Sequence, residues 1–419
     1  SLLQDVPRRY GDYRPGNFAA GFSGAVSASE ALATSLNLPA VQLLEAYGPK
    51  RFAGELRSAG VPLLLPPLAE PNLALILGGA GSRLEELVSG YSAFARGGMA
   101  ARLRLQPQDG LHERRLLSPG AAWIVRRILS GQARPDRDPR AQLVQRPSLA
   151  WKTGTSYGFR DAWAIGVAPR YLIGIWIGRP DGTPVSGQFG LASAAPLLLQ
   201  VHDLLVNRDS QRGIALPVDP QPASVGVAAI CWPLGQPLDS RDPNCRRQRF
   251  AWTLDGTTPP TLQAQDQPLG LGLQESIWVN AAGLRVDASC PDATVQSLAL
   301  WPAPLEPWLP RRERRSARLP AVDPQCPPRH MPVAAQLSIV GVREGDRLRR
   351  PAGSAEPLRL RLSALGGSGR RWWFVDGQPV AETTADVALN QLFSRPGRYQ
   401  LSVLDESGQT AKLSFSVLP

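Results

Sequence analysis

Leu149-Ala150-Trp151-Lys152-Thr153-Gly154-Thr155-Ser156 decides the reading of this chain. An apolar approach runs straight into a lysine, a threonine and a glycine, and the two stretches that follow are strand-like rather than helical. Residues 149–155, 161–167 and 171–178 read as three consecutive strands. Ala168-Pro169-Arg170 is a short turn, so the last two are expected to pair as a hairpin. Only three of the 46 basic residues are lysines, Lys50, Lys152 and Lys412. A lysine within this strand is therefore not compositional background.

On either side the pattern is helical. Ser27-Ala28-Ser29-Glu30 is a capping box whose helix runs through Leu32 and should stop near Asn37-Leu38-Pro39, because the residue before a proline disfavours helix. A second helix is expected from Ala40 to Ala46. Ser82-Arg83-Leu84-Glu85 reads as another capping box, opening a helix through Phe94 that ends at Gly97-Gly98. Residues 121–129 are amphipathic and residues 194–206 look like a closing helix. The first unit, 1–208, is therefore expected to be α+β, an antiparallel sheet flanked by helices.

Beyond residue 208 the composition shifts to Pro, Asp, Gln and Arg. Residues 209–332 read as an irregular connecting module. It holds all four cysteines, Cys231, Cys245, Cys290 and Cys326. No Cys/His spacing suggests zinc. Three pairings are possible; sequential neighbours, Cys231 with Cys245 and Cys290 with Cys326, are the expected ones, which implies an oxidising compartment. A loop the size of the first stabilises by roughly 3 kcal/mol in the chain-entropy model. Four buried free thiols are the alternative. Residues 333–419 alternate apolar and polar positions, with a turn at Asp376-Gly377, and read as an immunoglobulin-like β-sandwich. The 337–419 segment is expected to fold independently, the 1–208 unit poorly by itself.

Formal charge is +11. The basic residues are dispersed apart from residues 311–315, with no basic helix or aromatic-basic platform, which argues against nucleic acid. An anionic partner such as a membrane surface or cell-wall polymer fits better. No run approaches the ~18 apolar residues of a membrane span.

Ser35-Leu36-Asn37 is the only S-x-N in the chain. It precedes Lys152-Thr153-Gly154, at an expected break between helices. S-x-N followed by K-T-G belongs to the motif set of the serine acyl-transferases that penicillin inhibits. The surrounding residues extend the likeness: Tyr13-Arg14-Pro15-Gly16-Asn17-Phe18, Arg160-Asp161-Ala162-Trp163 and Gly174-Ile175-Trp176-Ile177-Gly178. The chain thus resembles the transpeptidase domain of class A penicillin-binding proteins. Cys231-Trp232-Pro233, residues 277–290, residues 301–308 and Trp372-Trp373-Phe374 extend the resemblance through the later modules.

One departure matters. The family's nucleophile lies in S-x-x-K, but Tyr47, Leu149 and Gln409 stand three residues before the lysines. In the family that motif precedes S-x-N, with a glycosyltransferase domain and a membrane anchor earlier still. The chain is thus expected to be the C-terminal part of a longer protein on the periplasmic face of the bacterial inner membrane, inactive by itself.

The resemblance implies an acyl-serine mechanism without cofactor or metal, acting on D-Ala-D-Ala stem peptides and trapped by β-lactams. Other periplasmic cell-wall proteins are possible partners. Ser35 would relay a proton to the leaving amine and Asn37 would orient the substrate amide. Lys152 would place charge near Ser35 and the substrate carboxylate. The Thr153 and Thr155 hydroxyls would bind that carboxylate, and the Thr155 N–H would donate to the oxyanion, a contribution of ~3 kcal/mol. Gly154 would admit a substrate laid along the strand. Arg160 and Asp161 are expected to form a salt-bridged strand end, and His112, His202 and His330 to be structural or superficial. The alternatives are a carboxypeptidase or β-lactamase-like hydrolase, and a non-catalytic binding module.

Overall fold

A computed structural model describes residues 2–8, 10, 13–18, 21–132, 149–215, 217, 219–232, 237–238, 245, 247–258, 274–301, 303–328, 337–349, 357–384, 387–406 and 408–418. His330 and the expected boundary at residue 332 lie outside them.

The chain opens with an antiparallel pair, β1 (Leu2–Asp5) and β2 (Gly24–Ser27). α1 (Ala28–Ala33) follows, and Ser27 and Glu30 form the full capping box: the Glu30 N–H donates to Ser27 Oγ and the Ser27 N–H to Glu30 Oε2. The chain then breaks at Ser35-Leu36, earlier than expected. α2 (Asn37–Tyr47) begins at Asn37, with Pro39 inside its first turn. Proline is tolerated there because a first-turn N–H has no intrahelical acceptor, so Pro39 does not stop the helix. α3 (Pro49–Ser58) and α4 (Leu84–Ala95) come next. The second cap is shifted by one residue and is only half a capping box: the Arg83 N–H donates to Glu86 Oε2 at 3.1 Å, so Arg83, not Ser82, is the N-cap, and its guanidinium has no acceptor to return the bond.

A small pair, β3 (Met99–Ala101) with β4 (Glu113–Arg115), leads to α5 (Pro119–Ser130). The central sheet is antiparallel in the order β5 (Ala150–Thr155), β6 (Asp161–Val167), β7 (Leu172–Gly178). α6 (Ala194–Gln211) packs on one face, where Ala194, Ala195, Leu198 and Leu199 meet Leu149, Trp151, Ala162 and Ala164. It runs to Gln211, beyond the expected unit boundary at 208. α4 and α5 pack against the sheet as well, with Val88 and Leu84 of α4 against Gly174. Among the described residues β5 is an edge strand of this sheet, paired with β6 alone.

The connecting region is not irregular throughout its described residues. It holds two antiparallel hairpins, β8 (Val225–Trp232) with β9 (Arg247–Leu254) and β10 (Gln274–Val279) with β11 (Thr294–Ala299). Cys231–Cys245 closes the first with a Cα–Cα separation of 5.1 Å, and Cys290–Cys326 spans 6.3 Å. Nor does it merely connect. Leu2 and Val6 of the first unit share a buried cluster with Cys231, Trp232, Trp301, Leu305 and Leu309. Trp123 of α5 meets Trp252 edge to face at 5.1 Å, and Arg249 pairs with Glu30 at 3.3 Å. Gly120 fits where a Cβ would strike Leu254 at 2.4 Å and Ser224 Oγ at 2.7 Å.

The C-terminal strands are β12 (Ser338–Val340), β13 (Arg347–Arg349), β14 (Leu358–Leu365), β15 (Arg371–Val375), β16 (Gln378–Thr383), β17 (Leu389–Phe393), β18 (Gly397–Asp405) and β19 (Thr410–Leu418). They form two sheets, β12-β14-β17 and β13-β19-β18-β15-β16. Leu362, Trp373, Phe393, Leu401, Val403, Phe415 and Val417 fill the space between them. Asp376 and Gly377 both have positive φ, 51° and 75°, the conformation of a two-residue type I′ hairpin turn.

Candidate active site

α1 ends in a motif that creates the first site residue. The Leu36 N–H reaches the Ala31 carbonyl at 3.0 Å and the Ser35 N–H reaches that of Leu32 at 3.3 Å. This is the Schellman pattern, completed by the apolar cluster that Leu36 and Ala31 share with Leu3 and Val26. The pattern requires a left-handed residue at Ser35, and φ there is 58°. Glycine adopts that conformation freely, whereas serine does so at a cost of about 1 kcal/mol. Local conformation therefore favours glycine, and the hydroxyl has another use.

That use is visible across the cleft. Lys152 Nζ donates to Ser35 Oγ, joining residues 117 apart in sequence, and donates also to the Thr153 carbonyl at 2.9 Å. Burial holds the Lys152 ammonium below the ordinary lysine pKa. A partly dehydrated cation beside a hydroxyl can shuttle a proton through that hydroxyl and attract a carboxylate.

Asn37 is the first residue of α2. Its Nδ2 donates to the Gly16 carbonyl at 2.7 Å, and its backbone N–H donates to Asn17 Oδ1 at 2.9 Å. A carbonyl only accepts, so the amide orientation is fixed and Oδ1 is left as an acceptor.

Strand alternation puts Thr153 and Thr155 on the pleat opposite Lys152 and Gly154. Thr155 Oγ1 accepts the Gly190 N–H at 3.0 Å. Gly190 is the close backbone approach in this site. A Cβ there would lie 2.5 Å from the Gly154 carbonyl oxygen and 2.7 Å from that of Trp163. A Cβ on Gly154 would meet only Trp163 Cβ at 3.7 Å, an ordinary contact, so the chain itself crowds Gly190 and leaves Gly154 open. Gly190→Ala should therefore lower the chain's stability by about 1–3 kcal/mol, while Gly154→Ala leaves it within about 0.5 kcal/mol. Paired thermal melts check this; equal melting shifts for the two variants would contradict the assignment.

Among the described residues the expected salt bridge at the start of β6 does not form, and another bond stands there. Asp161 Oδ1 accepts the Trp176 indole N–H at 2.9 Å, tying β6 to β7, and Arg160 is exposed. His112 is exposed and His202 is buried on α6, neither beside Ser35 or Lys152 in the contacts of this site. Among the described residues no group of three or more His, Cys, Asp or Glu side chains is placed to hold a metal. Three features escaped sequence reasoning. Gly190 carried no signal. Asn17 was legible only as part of a family pattern, with no role attached. Phe18, Phe159 and Phe189 form an aromatic group, with ring centroids 6.1 and 5.4 Å from Phe18. They come from three separate loops, which no periodicity links.

A lysine-bearing edge strand facing a strained S-x-N corner, followed by disulfide-closed hairpins and a two-sheet sandwich, defines a class. The chain belongs to the penicillin-binding proteins. Residues 224–253 match the penicillin-binding protein 1C linker domain, residues 268–317 its second linker domain, and residues 327–415 the Penicillin-Binding Protein C-terminus Family. The particular likeness is to penicillin-binding protein 1C of Escherichia coli (strain K12), 55% identical over 415 residues. That match takes in 99% of this chain and 53% of the relative, so the chain spans about half the length of that protein. Penicillin-binding protein 1A of Clostridium acetobutylicum is 27% identical over 201 residues, 44% of this chain and 25% of that protein. The crystal structure of penicillin-binding protein 1A from Haemophilus influenzae aligns with a TM-score of 0.49 at 20% identity, over 63% of this chain and 46% of that one.

Proposed function

We propose that the chain carries the peptide-binding side of a D,D-transpeptidase in a bifunctional peptidoglycan synthase, a glycosyltransferase and transpeptidase on the periplasmic face of the inner membrane. The observation that carries the reading is the Lys152–Ser35 contact beside the edge strand β5.

The mechanism follows from these groups. A stem peptide ending in D-Ala-D-Ala adds as a strand along the free edge of β5, held by main-chain hydrogen bonds. Lys152 attracts the terminal carboxylate, which sits at the edge of β5 where the Thr153 and Thr155 hydroxyls, on the opposite pleat and donors as well as acceptors, reach it from the other side. Asn37 Oδ1 accepts the substrate amide N–H. The penultimate carbonyl is attacked by the serine of an S-x-x-K, a motif these 419 residues do not contain, whose lysine takes the proton from the serine hydroxyl. The Thr155 N–H donates to the resulting oxyanion. Ser35, its hydroxyl polarised by Lys152, passes a proton to the departing D-alanine nitrogen, and an amine of a second stem peptide then resolves the acyl-enzyme. A β-lactam carries its carboxylate and amide into the same places and stays attached. The Cys231–Cys245 and Cys290–Cys326 bonds fit an oxidising compartment.

The test is labelling with a fluorescent penicillin, on this chain and on the protein extended to include an S-x-x-K serine. The expected result is a labelled extended protein and an unlabelled 419-residue chain. Label on this chain would place the nucleophile among its own serines. No label on either would overturn the transpeptidase reading.

A further inference from the structure

The Ser35–Lys152 pair and the orientation of Asn37 account for the groups facing substrate, but not for what holds Asn37. Its backbone N–H is the first of α2 and has no acceptor within the helix. Asn17 supplies one, and Asn17 is itself held on its other side. Its Nδ2 donates to Asp5 Oδ1 at 2.8 Å and to the Gly21 carbonyl at 3.1 Å. Asp5 is fully buried, with 0% exposure, and its second oxygen accepts the Ser23 N–H at 2.7 Å. A buried carboxylate is tolerated only when hydrogen-bonded, so the geometry of this corner is tightly specified.

Asp5 is the last residue of β1, and β1 is anchored from two sides. Its Gln4 N–H donates to Gln42 Oε1 of α2 at 3.1 Å. Leu2 at its start and Val6 just past its end lie in the cluster with Cys231, Trp232, Trp301, Leu305 and Leu309 of the linker hairpins.

We propose that Asp5 and Asn17 are positioning residues that set the place of Asn37 in the site, through a path that begins in the disulfide-closed linker core. The inference rests on the transpeptidase reading for its effect on chemistry, but not for its structural content. The linker in this view is part of the active-site scaffold rather than a spacer. Asn17 acts through Asn37: the Asn17 side chain supplies the acceptor that fixes the start of α2, the Gly16 carbonyl beside it takes Asn37 Nδ2, and together they leave Oδ1 toward the substrate amide.

The experiment has two arms. In the 419-residue chain, hydrogen–deuterium exchange is followed over residues 35–40 for the unsubstituted protein, Asn17→Ala, Asn17→Asp and the exchanged pair, Asp5→Asn with Asn17→Asp. In the exchanged pair the side-chain amide at position 5 donates to the carboxylate at position 17 and accepts the Ser23 N–H, while that carboxylate still accepts the Asn37 N–H; only the donor to the Gly21 carbonyl is lost. Asn17→Asp alone sets two carboxylates against each other. The expected result is faster exchange at 35–40 in both single variants, with protection in the exchanged pair higher than in Asn17→Asp but below the unsubstituted chain, which alone keeps the bond to the Gly21 carbonyl. Unchanged exchange in Asn17→Ala overturns the proposal whatever the activity.

In the extended protein, penicillin acylation rates are measured for Asn17→Ala, Asn37→Ala and the double variant. Loss of one hydrogen bond to a positioned group predicts about a tenfold slower acylation for Asn17→Ala. If Asn17 works through Asn37, adding Asn17→Ala to Asn37→Ala slows acylation little further. A merely structural role makes the two losses multiply, and that outcome overturns the proposal. Should the unsubstituted extended protein fail to label, the transpeptidase reading falls, and the exchange arm alone decides whether the path from Asp5 to Asn37 exists.

Discussion

Lys152→Met, in a protein extended to include the nucleophilic serine, should slow acylation by penicillin about a thousandfold, equivalent to ~4 kcal/mol of transition-state stabilisation. The magnitude reflects two losses at once: the cation that polarises Ser35 Oγ and the charge that draws the carboxylate of substrate or β-lactam. Lys152→Arg should not restore the rate, because a planar guanidinium cannot place one point donor on both Ser35 Oγ and the Thr153 carbonyl. Stopped labelling assays with the fluorescent penicillin measure both. A loss of less than tenfold for Lys152→Met would mean that the lysine is structural.

The same substitution has a pH signature of known sign. Burial lowers the Lys152 pKa from 10.5, so between the lowered value and 10.5 the unfolded chain binds more protons than the folded one. Stability from this group therefore rises with pH across that window and is lost as pH falls through the folded pKa. Lys152→Met has no such dependence. The melting temperature of the unsubstituted chain should gain on that of Lys152→Met as pH rises toward 10.5. Tyr10 and Tyr91, pushed up to about 12 by burial, contribute stability that is lost in the alkaline range, but they do so in both proteins and cancel in the difference.

The largest effect on stability is expected from Trp373→Ala. Trp373 is completely buried at the centre of the sandwich, and its indole N–H donates to Thr383 Oγ1 at 2.9 Å. Truncation removes the ring, leaves a cavity and strands the buried hydroxyl, a loss of about 3–5 kcal/mol. That cluster draws its buried members from residues 337–417 alone. Calorimetry of the whole chain should therefore show one transition moving down while the one belonging to residues 1–328 keeps its place. A single transition that shifts as a whole would show that the sandwich and the rest unfold together, against the independence expected from the sequence.

The contrast between linker and sandwich shows what local sequence conveys. In the sandwich, alternation at Leu358, Leu360 and Leu362 and the Asp376-Gly377 turn were sufficient, because strand faces and type I′ turns are set by neighbours one or two residues away. In the linker, β8 and β9 are joined through a long Pro-rich and charged interval, so no short-range turn signal marks them as a hairpin. Pro39 misleads for a related reason. Its rule is local, but its consequence depends on which helical position it occupies, and that was fixed by the left-handed corner at Ser35 two residues before the helix.

By itself the sequence determined the strand with Lys152, its hairpin neighbours, the capping box at Ser27 and the order of the two motifs. Each of these depends on side-chain period, capping chemistry or residue identity within a few positions. Only the tertiary structure decided that Lys152 meets Ser35, that Gly190 rather than Gly154 is the crowded glycine, and that Asp5 and Asn17 hold Asn37. Those contacts join residues 117, 35, 12 and 20 positions apart, in the order Lys152–Ser35, Gly190–Thr155, Asp5–Asn17 and Asn17–Asn37. At such separations the chain carries no local preference for contact. Partners are chosen by burial of the β1 and α6 faces, and the hydrogen bonds form between whatever groups that packing brings within reach.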